Sequence, residues 1–204
     1  MNIHAGLIWL TFLYCLPIVS VQAGESWQPV VTESGIQIHK REKHAGLVEI
    51  KAQTLTPTSL EACRALLSDA ENISTWVSHA KKANILQKFS ESEYLVQTIF
   101  TTPWPSSNRD MVTHSTFFQP DKNTLVLNVL DANQSYPRQA GLVRITDVEA
   151  NWTLQKLNNG MVHISYTAYA NPNGMLPIWL ANKLTISSVL ETFRGLKKRL
   201  PLYQ

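Results

Sequence analysis

Thr101-Thr102-Pro103-Trp104-Pro105-Ser106-Ser107-Asn108-Arg109-Asp110 interrupts a long run of β-type sequence. Residues 94–102 before it and 110–118 after it have the β-branched and aromatic content of strands. Pro103 and Pro105 cannot donate ladder hydrogen bonds, so the strand must stop between them. A large aromatic, Trp104, stands between the prolines, and an adjacent Arg109-Asp110 pair follows. A second unusual segment, Asn171-Pro172-Asn173-Gly174-Met175-Leu176-Pro177-Ile178-Trp179-Leu180-Ala181-Asn182, ends the last strand pattern and launches a helix.

Outward from these segments the same patterning continues. Residues 35–41 alternate apolar and polar, and 46–55 read as their hairpin partner across a turn at 42–45. Thr56 reads as a helix cap with Pro57 at the first helical position, ahead of an apolar face of Leu60, Cys63, Leu66 and Leu67. Residues 73–79, with Trp76, read as a short helical piece. Strand patterns then fall at 84–90, 94–102, 110–118, 124–130, 142–157 and 161–169, with a longer loop at 133–141. Asn159-Gly160 between the last two is a strong hairpin signal. Residues 24–34 read as a lead-in to the domain, with Trp27 as an anchor.

Residues 177–200 carry a helical period. At a hundred degrees per residue, Ile178, Trp179, Ile186, Val189, Leu190, Phe193, Leu196 and Leu200 share one stripe, and Lys183, Ser187, Glu191, Arg194 and Lys198 lie opposite. Leu180 and Leu184 fall off the stripe and are candidates for an exposed apolar patch that touches a membrane transiently. The order is therefore two strands, helices, six strands and a long helix. An antiparallel sheet of this size curls, and its concave face needs a cover. The predicted fold class is α+β: a helix-grip fold, in which a curled antiparallel sheet is closed by the C-terminal helix around a hydrophobic cavity.

The chain resembles the START lipid-transfer family. The resemblance rests on Pro103-Trp104-Pro105 followed by Arg109-Asp110, on Trp152 within Asn151-Trp152-Thr153-Leu154, on the Trp76 region, and on Gly174, Pro177, Trp179, Leu180 and Asn182 at the start of the last helix. It runs from about residue 35 to 200 and is similar to the stand-alone bacterial-type members. It implies a cavity between sheet and helix that holds one lipid-like molecule. The resulting ligand-facing candidates are Trp104, Arg109, Trp152, Trp179, Asn182, Ile186, Leu190 and Phe193. For several of them a structural role competes. Arg109 and Asp110 point to opposite faces of a strand, and Arg109 anchoring its loop is favoured over Arg109 meeting a headgroup. Asn182 on an apolar stripe needs partners, either the 171–175 loop or a ligand.

Composition narrows the function. A net charge of +3 over 204 residues is far from a nucleic-acid patch. With 8 glycines and no Gly-rich phosphate loop, no nucleotide cofactor is expected. No Gly-x-Ser-x-Gly elbow or His-Glu-x-x-His spacing occurs, so neither a hydrolase nucleophile nor a metal site is expected. The favoured reading is a monomeric, noncatalytic carrier of a hydrophobic molecule. Its competitors are a helix-grip enzyme with His114, His163, Asp110 and Glu149 as acid–base candidates, and a ligand-sensing interaction module. The first 23 residues lack Asp, Glu, Lys and Arg and are mostly apolar. They read as a signal peptide cleaved before Gly24, which implies a periplasmic or secreted domain of residues 24–204. Cys63 is then the only remaining cysteine, read as a small buried hydrophobe.

Overall fold

Ten strands and two α-helices build the molecule in the computed structural model, which describes residues 26–103 and 105–204. The expected signal peptide and Trp104 lie outside the described residues. The strands are β1 (Gln28–Glu33), β2 (Ile36–His44), β3 (Leu47–Pro57), β4 (Ala80–Ser90), β5 (Glu93–Phe100), β6 (Arg109–Asp121), β7 (Thr124–Asp131), β8 (Val143–Arg144), β9 (Thr146–Lys156) and β10 (Met161–Asn171). The helices are α1 (Leu60–Ser68) and α2 (Ile178–Arg199). Nine strands form one antiparallel, curled, unclosed sheet in the order β1-β2-β3-β10-β9-β7-β6-β5-β4, and the short β8 pairs in parallel with the start of β6. The helix-grip expectation holds.

Local chemistry explains most boundaries. Ser34-Gly35 and Ala45-Gly46 both lie at positive φ, giving the left-handed two-residue turns that match the twist of a β-hairpin. The segment expected as a lead-in is a strand: β1 pairs with β2 from Gln28↔Lys40 to Glu33↔Ile36 and forms one sheet edge. Its residues are largely solvent-facing, so it lacks the alternating apolar signal of a half-buried strand. The expected Thr56 cap is also replaced. β3 continues through Pro57 because Val162 and Met161 of β10 pair with Thr56 and Pro57. Ser59 caps α1 instead, its Oγ accepting from the Ala62 N–H at 3.0 Å. The expected helical piece around Trp76 is a single 3₁₀ turn, Ile73–Thr75.

The two halves of the sheet are covered differently. Ile36, Ile38, Ile50, Ala52, Val162 and Ile164 on β2, β3 and β10 pack against Leu60, Cys63 and Leu66 of α1 and Phe193 and Leu196 of α2. Burying a side chain such as Phe193 contributes roughly 1.5–3 kcal/mol. Ile186 and Leu190 of α2 pack against this filled core. Cys63 is buried within it, and burial pushes its thiol up to about 12, as befits an inert core residue. Farther along the concave face, β4, β5, β6, β7, β9 and the later part of β10 leave a cavity.

Candidate functional site

Strand alternation sets the inner surface of the open half. Val96, Thr98 and Phe100 of β5, Met111, Thr113 and Ser115 of β6, and Leu127 and Val129 of β7 all point to the concave side. They line a cavity of about 340 Å³, near the lower end of the roughly 300–1,000 Å³ typical of small-molecule sites. Protein interiors seldom leave voids. This one persists because Ala83, Ala150, Ala168, Ala170, Ser115 and Ser188 face it, and their short side chains cannot fill the space.

The cavity has an aromatic wall at its junction with the filled core. Trp152 stacks on Phe193 with centroids 5.7 Å apart and planes at 13°. It also meets Tyr166 at 4.2 Å and the edge of Trp76 at 6.3 Å. Such pairs add about 0.5–1.5 kcal/mol each beyond area burial. Trp152, Tyr166 and Trp76 line the cavity, while fully buried Phe193 backs Trp152 from behind. Burial pushes the Tyr166 phenol up to about 12, so it is a neutral hydroxyl at ordinary pH.

Helix α2 and the segment after α1 complete the enclosure. Ser188, Val189 and Thr192 are the helix residues that face the cavity. The Ser78 N–H donates to Thr192 Oγ1 at 3.1 Å, tying that segment to the helix. Gly195 permits the close approach: a Cβ there would lie 2.4 Å from the Trp76 carbonyl oxygen. Asp69 sits at the rim. It accepts from the Tyr203 hydroxyl at 2.7 Å and from the Asn72 side-chain amide at 2.8 Å. Burial alone would push its carboxyl up, but these bonds prevail and hold it below its ordinary value.

The candidates chosen from sequence distribute unevenly around this cavity. Trp152 lines it, and Phe193 supports it. Ile186 and Leu190 do not; they cover the filled core, because the helix lies over β2 and β3 and turns its 188–189–192 edge to the void. Trp179 was expected on the sheet-facing stripe but is 68% exposed, and Ile178 is 49% exposed. The first turn of α2 overhangs the β2–β3 turn, where a Cβ on Gly46 would meet Ile178 Cγ2 at 3.4 Å. Leu180 and Leu184 are half-buried rather than exposed. Asn182 bonds neither the 171–175 loop nor the cavity: its Nδ2 donates to the Gly46 carbonyl at 2.9 Å, and the Val48 N–H donates to its Oδ1 at 3.1 Å. It clamps the helix to the β2–β3 turn.

Arg109 is a structural weld. Its guanidinium donates to the carbonyls of Pro172 and Ser107, each at 3.1 Å, and to Thr102 Oγ1 at 3.2 Å. Burial lowers its pKa, and carbonyl oxygens rather than an acid surround the charge. Asp110 leaves the opposite face of β6 and receives a fork from fully buried Arg144, Nε to Oδ1 and Nη2 to Oδ2 both at 2.9 Å, plus the Gln97 amide at 2.9 Å. Arg144 was not singled out in the sequence; the strand expected at 142–157 breaks after it, leaving Val143–Arg144 as β8 and Thr146–Lys156 as β9. The acid–base candidates are scattered. His114 meets Glu93 at 2.8 Å, His163 lies 3.4 Å from the Gln53 amide, and Glu149 pairs with Lys43. None of these lines the cavity.

The geometry has counterparts in known proteins. The START domain family model matches residues 24–204. An uncharacterized protein from Pseudomonas aeruginosa is 26% identical over 181 residues, covering 85% of this chain and 86% of that protein. Human START domain-containing protein 10 is 23% identical over 162 residues; the match takes in 79% of this chain but only about half, 53%, of that longer protein. A solved STAR-related lipid transfer protein from Xanthomonas axonopodis superposes with a TM-score of 0.79 at 25% identity, over 86% of this chain and 98% of that one. With the family model matching nearly the whole sequence and the curled sheet gripped by its last helix, the chain belongs to the START domain family.

Proposed function

We propose that this protein is a noncatalytic, monomeric carrier that holds one hydrophobic molecule in the cavity between its sheet and α2. The observation that carries the reading is the cavity itself: a void lined mainly by apolar and small side chains, roofed by Ser188, Val189 and Thr192. Each methylene buried there would contribute about 0.8 kcal/mol. The lipid-transfer name of the Xanthomonas relative supports the ligand class. Exchange takes place at a membrane surface reached through the exposed apolar start of α2, Met175, Ile178 and Trp179, in place of Leu180 and Leu184. The apolar, uncharged first 23 residues support export to the periplasm or medium, with cleavage before Gly24.

Native mass spectrometry of the protein recovered from its own cells, without detergent, tests these points together. The expected species begins at Gly24 and carries one intact hydrophobic molecule that denaturation releases. A chain with an empty cavity overturns the carrier reading. A bound reaction product supports the enzyme alternative, and a co-purifying protein the sensing module. A retained Met1 overturns cleavage.

A further inference from the structure

The charge on the cavity wall is sparse. Among the described residues, Asp69 is the only one with a carboxylate on this wall, and no Lys, Arg or His lines it. Asp69 is already engaged by Tyr203 and Asn72 at the rim. The buried cations are spoken for: Arg109 by loop carbonyls and Arg144 by Asp110 on the convex face. An anionic headgroup drawn into this space would lose its water and find no counter-charge, which is strongly unfavourable.

The same wall carries hydroxyls that lack partners. Thr98 is 4% exposed and Thr113 2%; among the described residues neither hydroxyl bonds another group of the protein, and neither oxygen is sealed off, so both remain open to the cavity they line. Thr98 stands opposite Met111 and Thr113 opposite Val96, so the two threonines are diagonal neighbours on the concave face, roughly 7–8 Å apart. Buried polar groups are normally paired, and a hydroxyl both donates and accepts. The neutral Tyr166 hydroxyl on β10 offers the same dual chemistry to the same space. A ligand oxygen beside β5 and β6 would complete these bonds.

On the carrier reading, we infer that the ligand is an uncharged amphiphile, a compact apolar body bearing a hydroxyl or carbonyl oxygen that docks at Thr98 and Thr113. A fatty carboxylate or a bare phosphate headgroup is disfavoured inside the cavity, since among the described residues no cation lies on its wall.

Two matched probe pairs test this on the delipidated protein by titration calorimetry at pH 8. One pair is dodecan-1-ol and dodecanoate; the other is cholesterol and cholesterol sulfate. Dioleoyl phosphatidylcholine is the fifth probe. The alcohol of whichever scaffold fits should bind at least ten-fold more tightly than its anion, and the phospholipid should not bind inside the cavity. The double variant Thr98→Val, Thr113→Val should lose about ten-fold in affinity for that alcohol while its melting temperature stays near the parent's, since it is nearly isosteric and neither hydroxyl bonds another group of the protein. Equal or tighter binding of an anion or the phospholipid by the parent protein overturns the inference and leaves the carrier reading intact. Undiminished alcohol binding by the folded double variant overturns the docking position. Binding of none of the five probes counts against the carrier reading itself. The comparison on the parent protein decides the charge preference whether or not the variant folds.

Discussion

Arg109 and Asp110 are neighbours in sequence, but their side chains leave β6 on opposite faces, and each holds down a different loop. Arg109 joins the Pro103–Asn108 region to Pro172, so the two segments that stand out in the sequence are one unit in space. Asn173 extends that unit, its Nδ2 donating to the Arg144 carbonyl at 2.9 Å and to Thr146 Oγ1 at 2.8 Å. The Asp110–Arg144 fork is buried on the convex side, where Arg144 also donates to the carbonyls of Asn133, Tyr136 and Pro137. Breaking one side of such a pair strands a buried charge and typically costs about 3–5 kcal/mol, whereas replacing both partners costs far less. Arg144→Met should therefore lower unfolding stability in urea by about that amount, and Asp110→Asn with Arg144→Met should recover much of it. A single variant within about 1 kcal/mol of the parent would mean that the loop relaxes and hydrates Asp110. Sequence spacing revealed Arg109 and Asp110 but not Arg144: the expected strand 142–157 breaks into β8 and β9, and the two-residue β8 pairs in parallel with β6, 34 residues away, which no periodicity in that pattern announces.

At the scale of elements, the terminal helix is where pattern and packing part. Its period correctly marks Val189, Phe193 and Leu196 as buried. The period cannot say that the sheet beneath is filled on one flank and hollow on the other, so Ile186 and Leu190 looked equivalent to cavity residues. The small residues Ser188 and Thr192, which do face the void, look polar in a hydropathy stripe. The difference is testable. Ile186→Trp overpacks the β2–β3 side and should cost about 1–3 kcal/mol. Ser188→Phe should instead place its ring in the void, keep the melting temperature near the parent's, and abolish uptake of the alcohol that the parent binds. Full uptake by a folded Ser188→Phe protein would put the ligand elsewhere. Strand alternation was the more legible signal: Thr98 and Thr113 fall on the same face as their apolar neighbours, although neither was singled out in the sequence. The Thr56 and β1 corrections share one cause, since pairing with a neighbouring strand overrides local propensity and a sheet-edge strand needs no apolar face.

The whole molecule has a packed side, where α1 and α2 cover β2, β3 and part of β10, β9 and β7, and a hollow side lined by β4 to β7 with β9 and the later part of β10. On the proposed carrier reading, the packed side keeps the fold while the hollow side exchanges ligand. The start of α2 joins this body through Asn182 and Ile178 yet presents fully exposed Met175 and largely exposed Trp179 to solvent. No acidic residue and no capping side chain occupies the first turn of α2, so its backbone dipole leaves positive potential beside these apolar groups. An aromatic and a flexible apolar side chain beside positive potential suit the headgroup–acyl boundary of an anionic membrane. Leu180 and Leu184 are half-buried, so changing them would perturb packing as well as any membrane contact. Met175→Ser with Trp179→Ser removes side chains that the fold scarcely uses, so stability should stay within about 0.5 kcal/mol of the parent. Ligand content after purification should be unchanged, since neither residue lines the cavity. The rate at which bound ligand moves into anionic vesicles should fall by about ten-fold, with a smaller loss on neutral vesicles. Parental exchange rates on both kinds of vesicle would show that the ligand leaves without this surface touching the membrane.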